Sequence, residues 1–557
     1  MKLTSNMQPK NVNRCFSIMK YMLVAVSLCG LLMTGCKDNT NDIVVEERDT
    51  TITVENAYNE LFLDSNRLEQ FMSTRLFPDT LAKQFRNFYN ARNYQFAWFA
   101  PDGPSEQASH FMNLQNDYIG YSRDSSLYNP QLQKIIDTLR ADSNYVLRDS
   151  VLMNTELTLT QQFFRYAQKA YVGDSSLNTT DLKWHIPRKK INMVELLDSL
   201  LVAGDAEGYV PVNRQYRLLK NELIKYLEIQ QQGRWQAIQT SKKKFQRGDK
   251  DSVIAAIKQR LLLTGDLSQN DTTLLFNDSL EKAVKRMQFR YGMKTDGVIG
   301  GATLRELNRT IDHRIQQLMI NLERLRWVPA EVKTDYLLVN IPQFKLHVYE
   351  KGKLSFSMNV VVGSLQHNTV IFNGDLKYVV FSPYWNVPTS IVKNEILPGM
   401  QKNKNYIATH NMEITGYSGG VPNVRQKPGP NNSLGKVKFL FPNSYNIYLH
   451  DTPAKSLFGE TSRAFSHGCI RLGEPKKLAE FLLRNDSTWT SEKIQQAMNL
   501  GKERYVTLKQ TVPVFIGYFT AWVDSQGLLN FRDDVYGHDK KMAEKMFTDP
   551  KAGTAIQ

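Results

Sequence analysis

Two short segments hold the side chains best suited to covalent chemistry. They are Tyr448-Leu449-His450-Asp451-Thr452-Pro453 and Ser466-His467-Gly468-Cys469-Ile470-Arg471. An ordinary thiol, with a pKa of about 8.5, is mostly protonated at neutral pH, so a cysteine that attacks a carbonyl needs a neighbour to take its proton. His450 suits that role, as general base and later as acid. His467 and Ser466 sit against the nucleophile in sequence and read as pocket residues. Gly468 removes side-chain bulk just before Cys469, so the chain can turn tightly and a carbonyl can approach. The backbone N–H groups around Gly468 and Cys469 are then candidates to face a developing oxyanion. Arg471 lies two residues on, on the same face as Cys469 if the segment is extended, placed to bind a substrate carboxylate or to hold the site together. Asp451 follows His450 directly. On a strand it points the other way, so no third member is assigned.

Other readings use the same residues. Cys469 also fits a buried structural thiol. His450, His467 and Cys469 are zinc-ligand types, although no short paired spacing accompanies them. Arg471 also fits a plain salt-bridge partner.

The chain has 557 residues, 70 Lys and Arg against 55 Asp and Glu, and four cysteines. Its apolar fraction of 41% excludes wholesale disorder. It has no 18-residue apolar run, which excludes a polytopic membrane protein. Lys2, Lys10, Arg14 and Lys20 precede an apolar run from Tyr21 to Met33, which ends in Met33-Thr34-Gly35-Cys36. That is the pattern of a signal peptide over residues 1–35. Its end resembles a bacterial lipobox, which makes Cys36 the lipidated first residue and a membrane anchor. Removing residues 1–35 takes Cys15 and Cys29 away and leaves Cys469 as the sole free thiol, on 522 residues of net charge +11. An anionic cell-wall polymer suits that charge in an exported chain better than nucleic acid does.

The elements that must position the thiol follow from periodicity. Residues 36–57 read as a polar tether. Residues 58–250 and 311–333 read as a helical scaffold, with Asp142, Asp149, Thr160 and Thr180 as candidate N-caps. Residues 251–310 carry two apolar stripes, an Asp296-Gly297 turn and a third helix, a compact three-helix module. From 334 to 510 the period changes to two, so a mainly-β domain is expected there. A Gly/Asn/Pro-rich stretch at 398–435 interrupts it as an irregular, lid-like insertion. Residues 511–557 read as a terminal hairpin and tail.

The His-Asp-Thr-Pro and Ser-His-Gly-Cys-Ile-Arg-Leu wording resembles the YkuD-type L,D-transpeptidases, in particular their large, multidomain YcbB-like branch. The segments Asn321–Pro329, Pro383–Pro388, Arg425–Pro430 and Leu434–Pro442 agree with that branch. Within 251–310, Asp296-Gly297-Val298-Ile299-Gly300-Gly301 resembles a peptidoglycan-binding module. The resemblance implies a multidomain α+β chain: a helical scaffold, an inserted peptidoglycan-binding module and a mainly-β, sandwich-like catalytic domain. It implies peptidoglycan stem peptides and glycan as partners, no cofactor, and acylation of Cys469 by carbapenems. It adds Tyr448 and Trp385 to the substrate contacts. The implied activity is transfer of a diamino-acid acyl group from a tetrapeptide stem to a neighbouring amine, forming 3–3 cross-links with release of D-Ala. L,D-carboxypeptidase action and a non-catalytic wall-binding lipoprotein are the alternatives. The implied location is the cell envelope, lipid-anchored and periplasm-facing in a Gram-negative bacterium.

Overall fold

Alternating apolar residues build the C-terminal half. In the strand Tyr336–Asn340, Leu337 and Val339 are fully buried, and Leu346 and Val348 repeat the pattern in Lys345–Glu350. These two pair antiparallel, and Lys345–Glu350 pairs again with the long strand Lys353–Gly363. The computed structural model describes residues 43–547 apart from 54, 58, 143–147 and 204–210. The expected signal segment, Cys36 and the start of the tether lie outside the described residues.

Among the described residues nine strands form the main sheet, with Ala464–Ser466 paired parallel to Lys353–Gly363 at one end of the order. Its centre is Phe372–Phe381, flanked by Val437–Leu440 and Arg504–Gly517. The order continues on one side through Leu449–His450 and Ile470–Leu472 to Lys353–Gly363, and on the other through Tyr336–Asn340 to Lys345–Glu350. Because Lys345–Glu350 also pairs with Lys353–Gly363, the sheet closes on itself. The sandwich-like expectation thus resolves into one closed sheet. The helices Pro475–Leu483 and Ser491–Met498 pack Leu478, Ala479, Leu483 and Ile494 onto it. Val512–Gly517, expected in a terminal hairpin, lies in this sheet; only Ala521–Val523 and Leu529–Phe531 form the hairpin. Val512, Val514 and Ile516 are buried and alternate with half-buried Pro513 and Phe515, a pattern that a central strand and a hairpin arm share.

The same core takes in the scaffold. Leu182, Trp184, Ile186, Ile320 and Trp327 cluster with the sheet's valines, and Trp184 meets the Trp327 ring edge-on at 5.5 Å. Residues 250–310 hold three helices, Val253–Leu263, Asp278–Arg290 and Gly301–Leu307.

The chain divides into two compact units, one made of residues up to 103 with 146–160, the other of the rest. In the first, the helices Ser65–Thr74 and Asp79–Asn90 gather Phe71, Phe77, Phe85 and Tyr89. The fully buried Glu156 there accepts from the Ala97 and Trp98 N–H groups at 2.7 and 3.0 Å. Thr160, expected as an N-cap, is interior to the helix Asp149–Ala167 and accepts from Trp98 Nε1 at 2.8 Å. In the second unit Asp142 follows a helix, Pro130–Ala141, rather than starting one. A side chain that bonds across the fold can sit mid-helix, which local cap chemistry does not foresee.

Where irregular chain is expected at 398–435, the structure has an ordered insertion that begins earlier. Trp385–Asn386, Met412–Ser418 and Val421–Gln426 form a three-stranded sheet. Val387, Ile391, Val392, Ile396, Met412 and Val424 form its own small core. No helix among the described residues is long and apolar enough to cross a membrane.

Candidate active site

Strand register assembles the site. Leu449–His450 runs parallel to Ile470–Leu472, with Leu449 opposite Ile470 and His450 opposite Arg471. Alternation then puts Leu449 and Ile470 on one face, where both are fully buried in the core. Tyr448, His450, Cys469 and Arg471 share the other face. Four polar side chains from two distant segments meet because a single apolar pair fixes the register.

His450 is buried, and its Nδ1 lies 2.5 Å from the carbonyl oxygen of Asp451. A carbonyl only accepts, so Nδ1 carries the proton and Nε2 keeps its lone pair. Burial, with a smaller push from the Arg471 charge, lowers the imidazole to about 4, so it is neutral at pH 7. The Asp451 carboxylate turns away: it accepts from the Lys436 and Thr452 N–H groups and pairs with Lys455 Nζ at 2.6 Å. The orienting group is therefore a backbone carbonyl, which no residue type advertises.

Cys469 is half-buried and free, with Sγ 3.6 Å from the Asn446 carbonyl oxygen. Burial raises its pKa. The Tyr448 N–H and hydroxyl and the Arg471 charge oppose that rise. Thiol and imidazole are thus both neutral at rest. Arg471 Nε is buried without a partner, and burial lowers the guanidinium. Among the described residues the Arg471 guanidinium has no ion-pair partner, which favours the ligand-binding reading over a structural salt bridge.

The turn before the thiol is pinned from below. Gly468 has φ +110°, a conformation open to glycine. Its N–H donates to Ser466 Oγ at 3.2 Å, and that hydroxyl donates to the Cys469 carbonyl at 2.5 Å. This corrects two expectations: the Gly468 N–H is engaged rather than facing an oxyanion, and Ser466, buried, braces the turn rather than lining a pocket. Thr369 Oγ1 donates to the Gly468 carbonyl at 2.8 Å and accepts from the Gly363 N–H at 2.9 Å. Gly363 is required by close approach, since a Cβ there would lie 1.9 Å from the His367 carbonyl.

A cavity of about 520 Å³ opens beside the thiol and is lined by Gly468, Cys469 and His467 among others. His467 is half-exposed, its ring lies 4.8 Å from that of His367 at a tilt of 30°, and it reaches Glu395 of the insertion at 3.2 Å. Trp385, expected at the substrate, is half-buried, packs against the insertion's own core and is not among the residues lining this cavity. Among the described residues no three His, Cys, Asp or Glu side chains are placed to hold a metal ion. Thr369, His367 and Glu395 escaped the sequence reading. They join the site through the fold and carry no motif of their own.

Residues 334–508 match the family described as the L,D-transpeptidase catalytic domain, YkuD. Residues 83–223 match a "Scaffold domain", and residues 250–307 a "Putative peptidoglycan binding domain". A "Putative L,D-transpeptidase" of Haemophilus influenzae is 34% identical over 246 residues, which are 41% of this chain and 49% of that protein. The match thus spans about half the length of that curated relative. An L,D-transpeptidase structure from Stackebrandtia nassauensis is 16% identical and covers 50% of this chain and 98% of its own, at a TM-score of 0.22. One from Xylanimonas cellulosilytica is 14% identical and covers 50% and 100%, at 0.18. The chain carries a YkuD L,D-transpeptidase catalytic domain together with a peptidoglycan-binding domain.

Proposed function

We propose that the chain is a cell-wall L,D-transpeptidase that works through a Cys469 thioester. The observation that carries this reading is the shared strand face: Tyr448, His450, Cys469 and Arg471 side by side, with His450 held in the tautomer a base needs. Cys469 Sγ attacks the carbonyl of the diamino acid in a tetrapeptide stem, usually meso-diaminopimelate, while His450 Nε2 takes the thiol proton. The tetrahedral intermediate collapses, the C–N bond to D-Ala breaks, and His450 returns the proton to the leaving amine. The side-chain amine of a second stem then attacks the thioester and gives up a proton through His450. The new amide forms a 3–3 cross-link and the thiol is restored. Neutral partners at rest fit a proton transfer coupled to attack rather than a standing thiolate–imidazolium pair. Tyr448 flanks the sulfur, and Arg471 offers its unpaired charge to a substrate carboxylate.

The match of residues 250–307 to a "Putative peptidoglycan binding domain" supports a wall location for this chemistry, with stem peptides and glycan as the partners in this reading. The basic and apolar N-terminal segment ending at Cys36 supports a lipid anchor, and with it an envelope location facing the periplasm of a Gram-negative cell.

Mass spectrometry after incubation with a disaccharide-tetrapeptide containing meso-diaminopimelate tests the reading. Loss of D-Ala with a cross-linked dimer, abolished in Cys469→Ala and indifferent to EDTA, is expected. D-Ala loss without dimer makes the protein an L,D-carboxypeptidase. No turnover makes it a wall-binding protein, and loss of activity in EDTA sinks the thiol–imidazole mechanism.

A further inference from the structure

The cavity beside Cys469 is not walled by the catalytic sheet alone. Lys183 and His185 come from the scaffold, and His538 from the C-terminal segment. Its sixteen lining residues include one lysine and four of the chain's nine histidines, and no Asp or Glu. That composition selects for an anionic ligand.

The scaffold wall is firmly built. Trp184 is buried in the common core and bridges to Ile371, and the His185 N–H donates to the Ile371 carbonyl at 2.9 Å. The His185 ring lies 5.4 Å from that of Tyr445. These anchors hold Lys183 at φ +56°, a left-handed conformation that a lysine rarely adopts. Strain of that kind persists only where the surroundings over-determine it. The Lys183 amine has no ion-pair or hydrogen-bond partner among the described residues, while nearby Asp181 is paired with Lys545 at 3.0 Å.

His538 supplies an independent sign. It is 5% exposed, yet its Nδ1 is enclosed with no partner. Tyr518 and Tyr536 meet its ring nearly perpendicular, at 4.8 and 5.9 Å. Asp534, the neighbouring acid, is occupied by the Tyr518 hydroxyl at 2.6 Å and the Lys540 N–H at 3.0 Å. Burial, Arg324 and Lys183 keep the imidazole neutral, at about 4. A neutral ring with its proton on Nε2 leaves only a lone pair in the dry position, which costs less than a buried N–H. The N–H is then free for a ligand.

We propose that Lys183 and His538 form a carboxylate subsite on the scaffold side of the cavity, so that the scaffold helps select the peptide that Cys469 attacks. This rests on the acyl-transfer reading above. Two carboxylates of a tetrapeptide stem lie next to the bond that Cys469 attacks, that of the terminal D-Ala and the side-chain carboxylate of the diamino acid, and these are the candidates for the subsite.

The test is calorimetric titration of the full chain carrying Cys469→Ser with three ligands: the free-acid disaccharide-tetrapeptide, its D-Ala amide, and its diamino-acid side-chain amide. The free acid should bind about tenfold more tightly than one of the amides, the scale of a charge-assisted hydrogen bond. Lys183→Gln should erase that preference and Lys183→Arg should restore it. His538→Phe, which keeps the aromatic packing, should reduce it. The amide that loses affinity identifies the carboxylate. Equal binding of all three ligands, or an equal loss for all three in Lys183→Gln, overturns the subsite. D-Ala release by the chain with Cys469 intact reports separately on acyl transfer, so a selective binder that releases no D-Ala keeps the subsite and refutes the transpeptidase.

Discussion

The strand pair that carries Cys469 and the insertion that begins at Trp385 are built on opposite terms. The strand pair backs onto the extensive core that the sheet shares with the scaffold, with Leu449 and Ile470 fully buried behind the reactive face. The insertion has a core of six buried residues, and its recorded tie to the thiol's turn is the half-exposed His467–Glu395 contact. Packing against a large core holds side chains to one geometry, which acyl transfer needs. A small core and a half-exposed polar contact hold an element weakly. Rate should therefore depend steeply on the strand pair and its braces, and mildly on the insertion.

The largest effect is expected at the thiol and its base. Cys469→Ala should abolish D-Ala release, and His450→Gln should lower kcat by about 10²–10⁴, the usual worth of a general base. A His450→Gln enzyme within tenfold of wild type would remove His450 from the chemistry.

Acid pH offers the next test. A base is lost when it protonates, and the folded His450 does so only at about 4, so kcat/KM should hold through pH 6 and fall near 4. The stability sign follows: below the ordinary histidine value of about 6.5 the unfolded chain binds a proton that the folded chain refuses. This group therefore costs stability as pH falls from there to about 4. Arg471→Gln removes one of the groups that lower His450, so the acid limb should move upward. An unmoved limb would detach Arg471 from the base.

The brace ranks third. Thr369→Val leaves the Gly468 carbonyl and Gly363 N–H without their side-chain partner, and should cost about 1–3 kcal/mol in denaturant melts. Turnover should fall with it. Full activity at unchanged stability would show that the turn holds itself.

The smallest effect belongs to the insertion. Glu395→Gln should change kcat/KM by less than about fivefold, as expected for a screened surface pair. A loss as large as that of His450→Gln would erase the contrast between the two regions.

Much of the site was legible as sequence. Cys469, His450 and Arg471 stand in segments whose residue types already state their chemistry, and alternation alone put Cys469 and Arg471 on one face. The three-helix module was legible for the same reason, since its stripes and turn are local. Ser466 was misread because motif membership does not say which way a side chain faces. Thr160 was misread as a cap because its partner, Trp98, is remote in sequence.

The sequence by itself determined the reactive groups, the change of period from helix to strand, and the sign of the net charge, all properties of residue type and near-neighbour spacing. The tertiary structure decided the rest. It chose the Asp451 carbonyl over its carboxylate as the partner of His450, tied Thr369 to the turn at Gly468, and brought Lys183 and His538 to one cavity. Those outcomes depend on backbone groups common to every residue and on contacts between segments 99 to 355 positions apart, which close only when the shared core does.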